Sequence, residues 1–263
     1  MSLTIFKCGA TKRRVIEMDP ISQYCQSVID TVRRIQSEQH EAMTSVARLL
    51  ADKTESGRSI FITGCSHSSI FAQEAYYRAG GFLLMNPIFL PGMTLEVRPV
   101  TQTSRYERIP GIAEAVLSDS PIREGDVLII ASVSGRNAVP IEMALWAKER
   151  GISVVALTSL TYSQAVTSRH PSGLRLFEVA DFNLDLLCPD GDAVLEMEGL
   201  PVKTAAISTV TGITILHGVV SETLRLLIER GVTPPVFVSG NLDNGDAYNQ
   251  ALLEQYRSQI HYM

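Results

Sequence analysis

Two short polar segments hold the residues from which an anion site could be built. Residues 132–137 read Ser132-Val133-Ser134-Gly135-Arg136-Asn137, and they join an apolar run over 126–131 to a helical pattern over 138–150. Hydroxyls, a glycine and the free N–H groups of a helix start can together cradle a phosphate without a lysine. Residues 64–69, Gly64-Cys65-Ser66-His67-Ser68-Ser69, repeat the arrangement one crossover earlier. Serine or asparagine at a helix start is ordinarily a cap, and either segment alone reads that way. Two such segments after two buried strands point to a shared anion site. Its groups would be Gly64, Ser66, His67 and Ser68 from the first segment, and Ser132, Ser134, Gly135 and Asn137 from the second, with Asn137 also capping the following helix. Neither segment matches G-x-x-x-x-G-K-[ST] or G-x-G-x-x-G, which argues against nucleotide folds of those kinds.

Proton transfer needs groups of another type. At ~100° per residue, Lys203, Thr214, His217 and Ser221 fall on one side of an otherwise apolar late helix. Imidazole titrates near neutral pH, which suits His217 to acid–base work; the plain alternative is a buried histidine bonded to backbone. Glu74 follows the first polar segment on its helix and is either a catalytic carboxylate or a solvated surface residue. Glu196 and Glu198 alternate along an extended run, so both are expected on one strand face. Either could be the second carboxylate, Glu196 foremost, or an exposed edge charge. Cys65 at a strand end reads as packing, because no base is paired with it. No metal-ligand spacing links the histidines and carboxylates, so neither a metal site nor a cofactor is expected.

The elements that must position these groups follow from periodicity and breakers. Residues 19–55 read as one helix with Pro20 in its first turn. Residues 58–63 read as a strand, followed by a helix through 79 that Gly80-Gly81 stops. Residues 82–90 form a candidate strand interrupted by Pro87. Residues 91–120 are the least legible, with a short helix at 112–117. Then come a strand at 126–131, a helix at 138–150 closed by Gly151, and a strand at 152–158. Extended runs are expected at 174–179, 183–187, 194–197 and 236–239, a long helix at 202–230, and a last helix at 246–259. Short β–loop–α–β joins are the grammar of a parallel sheet with crossover helices, an α/β fold. Residues 18–263 read as one domain, and residues 1–17 as a leader or weakly ordered N-terminus.

The 263 residues carry a net charge of -5, which argues against a surface built for nucleic acid. The four cysteines show no C-x-x-C pairing, so reduced thiols in a cytoplasmic protein are expected. No signal peptide is read at the N-terminus. The long weakly polar run 204–220 contains four threonines, Ser208 and His217, which a lipid-facing helix would not carry. No membrane association is expected.

Gly64-x-x-x-Ser68 on a strand-to-helix turn, followed by Ser132-x-Ser134-Gly135-x-Asn137, resembles the pair of phosphate loops of sugar isomerase (SIS) domains. The resemblance covers most of residues 20–260. Residues 71–81 (FAQEAYYRAGG), 191–195 (GDAVL) and 235–248 are similar to the branch of that family often labelled phosphoheptose isomerase. One departure is Ser66, where the family pattern has glycine. The resemblance implies a single domain with a five-stranded parallel sheet between helices in three layers, and long N-terminal and late C-terminal helices. It implies a phosphorylated sugar bound at the strand C-termini, and a homodimer or homotetramer with shared sites. His217 resembles the late-helix histidine of phosphoheptose isomerases, and some of these carry a catalytic glutamate on the helix that holds Glu74. An aldose–ketose sugar-phosphate isomerase is the activity implied. The alternatives are a non-catalytic phosphosugar sensor and a phosphosugar lyase or etherase on the same scaffold. DNA-binding regulators of the family carry a helix-turn-helix module, for which residues 1–57 are too short.

Overall fold

The computed structural model describes residues 18–263, so the expectation for residues 1–17 lies outside the described residues. Its frame is five strands: β1 (Ile60–Gly64), β2 (Met85–Ile88), β3 (Val127–Ala131), β4 (Ser153–Thr158) and β5 (Phe182–Asp185). They lie in the order β2-β1-β3-β4-β5, with every neighbouring pair parallel. A strand covered on both faces reads as an unbroken apolar run rather than an alternation, and every residue of β1 and β3 is buried. Alternation then decides which layer each residue meets. Ile60, Ile62, Val127 and Ile129 face one helical layer; Phe61, Leu128 and Ile130 face the other. Pro87 is tolerated in β2 because an edge strand has one unpaired side.

The first layer holds α1 (Pro20–Glu38), α2 (His40–Glu55), α3 (Ser69–Ala75), α9 (Ser208–Glu229) and α10 (Gly245–Gln255). The second holds α4 (Thr101–Tyr106), α5 (Ile112–Ser118), α6 (Ala138–Glu149) and α8 (Leu176–Val179). A short helix, α7 (Leu160–Ala165), follows β4, and β6 (Ala193–Leu195) pairs antiparallel with β7 (Thr204–Ala206). Among the described residues only α9 is long and apolar enough to cross a membrane by length and composition. It packs as a core helix does, with Gly212, Ile215, Leu216 and Val219 buried against α2 and α3.

Several expected boundaries move. The helix over 19–55 is two helices that meet at Gln39, whose side-chain Oε1 accepts the Asp185 N–H of β5 at 3.0 Å. Asp19 caps α1 through the N–H groups of Ile21 and Ser22. The expected strand at 174–179 is the short helix α8, because Glu178 reaches back to the Arg175 N–H at 2.8 Å in the manner of a cap. Residues 236–239 contribute one isolated bridge, Phe82 to Val236, rather than a strand. α9 starts six residues later than the expected 202, because residues 204–206 are taken by β7.

In this strand order the chain reverses its direction of winding between β1 and β3. At such a switch point the connections diverge to opposite faces and leave a crevice outside the carboxyl ends of the strands. The β1–β3 register ends on Gly64 opposite Ala131. Both polar segments therefore leave the sheet side by side, at the mouth of the crevice.

Candidate functional site

The first polar segment folds tightly back on β1. A Cβ at Gly64 would lie 2.3 Å from the Ser68 carbonyl oxygen, so only glycine fits there. Ser66 stands at φ 52, the left-handed region that favours glycine, and the Ser66 N–H is held by Met93 O at 2.7 Å. The departure from the family's glycine thus falls on a position that adopts a glycine conformation. The Ser66 hydroxyl is buried and unbonded among the described residues. Ser69 Oγ donates to Ser66 O at 2.7 Å and fixes the turn. Ser68 is buried, whereas His67 is exposed.

The second segment turns on Gly135 at φ 57, where a Cβ would meet Ser163 Oγ at 2.7 Å. Gly135 N donates to Ser132 O, and Ser163 Oγ donates to Ser134 O. The N–H groups of Ser134, Arg136 and Asn137 donate to no backbone carbonyl among the described residues. They remain free beside the hydroxyls of Ser132 and Ser134, at the start of the 12-residue helix α6. Donors of this density, at the positive end of a helix, suit an anion.

Asn137 holds the N-cap position of α6, but its side chain does not cap, contrary to expectation. Its Nδ2 donates to Glu107 Oε1 at 2.8 Å, and its Oδ1 accepts from Arg169 Nη1 at 2.9 Å. Glu107, just past α4, is thereby held against the second segment. Its backbone carbonyl also accepts the Val139 N–H of α6. Burial pushes the Glu107 carboxyl up to about 7, against a smaller opposing pull from the charges of Arg108 and Arg169. It also bears on Cys65 in the first segment: burial drives that thiol well above its ordinary value, and the charge of Glu107 adds to the effect. Cys65 is therefore no thiolate nucleophile.

Glu74 and His217 meet across the α3–α9 contact, with His217 Nε2 3.1 Å from Glu74 Oε1. The approach depends on Gly212, whose missing Cβ would lie 2.3 Å from Phe71 Cε1 of α3. Arg78 forms an ion pair with the same Glu74 oxygen. Burial, and then the charge of Arg78, hold His217 below the ordinary imidazole value. At neutral pH the imidazole is therefore uncharged and able to take a proton, with Glu74 orienting one ring nitrogen. Phe82, Met85, Leu216 and Val220 wall the recess in which the pair lies.

Glu196 is not brought to this pair. β6 ends at Leu195, so the alternation expected to align Glu196 with Glu198 has no strand to act on. Glu196 is exposed and pairs with Lys203 Nζ at 3.1 Å. Lys203 itself lies outside α9, whereas Thr214 and Ser221 line a groove beside α1 and α2. Among the described residues no group of three or more His, Cys, Asp or Glu side chains is placed to hold a metal ion.

Residues 23–159 match the family model described as the SIS domain. The chain belongs to the SIS-domain family. Within it, the chain is 46% identical over 246 residues to a UPF0309 protein of Oceanobacillus iheyensis, covering 94% of this chain and 100% of that one. A UPF0309 protein of Streptomyces coelicolor is 41% identical over 244 residues, covering 92% of this chain and 97% of that protein. The fold is similar to that of a phosphoheptose isomerase from Francisella tularensis, at TM-score 0.51 and 18% identity over 77% of this chain and 95% of that one. A phosphoheptose isomerase from Neisseria gonorrhoeae aligns likewise, at TM-score 0.51 and 17% identity over 77% of this chain and 96% of its own.

Glu107 is the site residue that sequence reasoning missed. It stands as one charge in Tyr106-Glu107-Arg108, inside the stretch without clear periodicity. Its burial comes from packing against α6, which no local pattern encodes.

Proposed function

We propose that this SIS-domain protein binds a phosphorylated sugar in the β1–β3 crevice and interconverts its aldose and ketose forms. The observation that carries the binding half is the pair of donor-rich segments leaving the sheet side by side at Gly64 and Ala131. The phosphate would rest on the free N–H groups of Ser134, Arg136 and Asn137 and on the hydroxyls of Ser66, Ser68, Ser132 and Ser134, with His67 reaching the ligand from the rim. Supporting the isomerase half is the contact of a neutral histidine with a carboxylate. His217 would move the proton between adjacent carbons, with Glu74 stabilising the imidazolium that forms. Glu196, exposed and paired with Lys203, is given no step in this reading. The protein would act in the cytoplasm as a homodimer or homotetramer.

The test is a thermal-shift screen of phosphorylated sugars, each beside its unphosphorylated parent. A ligand that binds only the native state raises the melting temperature by mass action. A rise confined to a phosphorylated member supports the site; no rise with any compound removes the reading. His217→Ala should then abolish turnover while ligand binding persists, and unchanged turnover would remove the histidine's role.

Glu107 favours a second reading, a phosphosugar lyase. A carboxyl shifted to about 7 is half protonated at neutral pH and could protonate a departing oxygen. Release of a small acid product on incubation with the bound sugar would select this reading; its absence, with ketose formed, would select the isomerase.

A further inference from the structure

Three arginines from separate parts of the chain gather beside the second polar segment. Arg108 follows α4, Arg136 lies within the segment, and Arg169 lies between α7 and α8. Two of them are tied in place: Arg169 N donates to Arg136 O at 2.7 Å, Arg169 Nη1 to Asn137 Oδ1 at 2.9 Å, and Arg136 Nη2 to Thr167 Oγ1 at 3.2 Å. Arg136 Nε is buried and unbonded among the described residues. Elsewhere some arginines, such as Arg34, Arg175, Arg225 and Arg230, sit on a carboxylate, and others, such as Arg48, Arg58 and Arg123, do not; the distinction of these three is that they lie together. Among the described residues, none of Arg108, Arg136 and Arg169 has a carboxylate oxygen within 4.0 Å. The nearby carboxyl, Glu107, holds its proton to about 7 and offsets only part of their charge. Burial, and then the like charges of Arg136 and Arg108, hold Arg169 below the ordinary guanidinium value.

Fixing three like charges together costs free energy, and a chain with a net charge of -5 has acidic side chains to spare for neutralising them. Their gathering beside a segment with free N–H groups, with Arg136 Nε buried and unbonded, suits an anion from outside. The phosphate of a sugar on the crevice loops meets hydroxyls and backbone donors, so it does not by itself need these guanidiniums. We propose that Arg108, Arg136 and Arg169 form a second anion subsite, and that the ligand is a phosphosugar carrying a further negative group, a carboxylate or a second phosphate. Planar guanidinium forks match either group with paired hydrogen bonds. This rests on the reading of the crevice as a phosphosugar site.

The experiment is calorimetric titration of the full chain with matched probes: hexose 6-phosphates, the corresponding 6-phosphoaldonic acids, and the hexose 1,6-bisphosphates. A doubly charged member should bind about tenfold or more tighter than its monophosphate, the gain expected of one charge-assisted hydrogen-bonded pair. The two kinds of doubly charged probe tell a carboxylate from a phosphate. In Arg169→Met and Arg108→Met the ratio of the two affinities should fall towards one. Both arginines are exposed, but the Arg169 side chain also holds Asn137, so the Arg108 variant decides the matter if Arg169→Met does not fold, and Arg169→Lys should keep part of the preference. Equal affinity for singly and doubly charged probes would overturn the subsite and leave the phosphosugar reading standing. A preference that survives both methionine variants would overturn it as well, by placing the second charge elsewhere. No binding of any probe would remove the phosphosugar reading, and the subsite with it.

Discussion

Replacing Glu107 by glutamine should make the protein more stable at alkaline pH and change it little at acid pH. The carboxyl ionises near 4.5 in the unfolded chain and at about 7 in the folded one. Between those values the folded state binds more protons than the unfolded state, so stability falls as pH rises and the loss is complete once pH passes the folded value. At about 1.4 kcal/mol for each pH unit separating the two ionisations, the full cost of carrying the charge is about 3.5 kcal/mol. Glutamine keeps an Oε1 to accept from Asn137 Nδ2, so the neutral interaction survives in the variant. Urea unfolding of both proteins at about pH 5 and about pH 8.5 should show the wild type losing about 2.5 kcal/mol relative to Glu107→Gln. All other titrating groups cancel in that difference. Phosphate must be kept out of the buffer, since an anion on the arginines would alter the balance. A difference that does not change with pH, or one that grows in favour of the wild type, would refute the burial argument and with it the half-protonated acid at neutral pH.

Other expectations follow from single contacts. Gly64→Ala places a Cβ 2.3 Å from Ser68 O, so the first polar segment must shift; denaturant unfolding should show a loss of about 1–3 kcal/mol, and phosphosugar binding should weaken with it. Ser66→Gly relieves a left-handed serine and removes an unbonded buried hydroxyl; a stability gain of about 1 kcal/mol is expected from denaturant unfolding. Gly212→Val pushes α9 off Phe71 and should both lower the melting temperature and cut turnover, because His217 moves away from Glu74. Arg78→Met removes one of the causes holding His217 down, so the acid limb of the pH–rate profile should move upward.

The sheet was legible because parallel strands buried on both faces leave continuous apolar runs, and 127–131 and 153–158 are bounded by glycines and polar turns. What escaped were features set by contacts between distant segments. The apolar stripe keeps its spacing across Gln39, so periodicity could not reveal the bend that Asp185 holds from the far edge of the sheet. Residues 174–179 have the β-branched and aromatic look of a strand, yet one glutamate returning to its own helix start tips four residues into a helix. Glu196 falls beyond the end of β6 because the length of that strand is set by its pairing with β7, which the alternation of side chains does not encode.

The same division runs through the site. Segments that bind through backbone N–H groups need glycine and small hydroxyl residues at fixed offsets, so their chemistry is written locally and could be read. Acid–base groups act through burial and the charges around them. Glu74 and His217 lie 143 positions apart, and their contact rests on a glycine in α9 that no rule about catalysis would single out. Glu107 owes its shifted ionisation to a loop laid against α6, and Asn137, read as a cap, instead links that carboxyl to Arg169. A residue taken for local punctuation thus joins the two charge systems of the crevice. Asn137→Ala should consequently do more than a lost cap would: it should loosen Arg169 and alter the ionisation of Glu107 together. An effect on helix stability alone, with the pH dependence of Glu107 unchanged, would return Asn137 to the role of a cap.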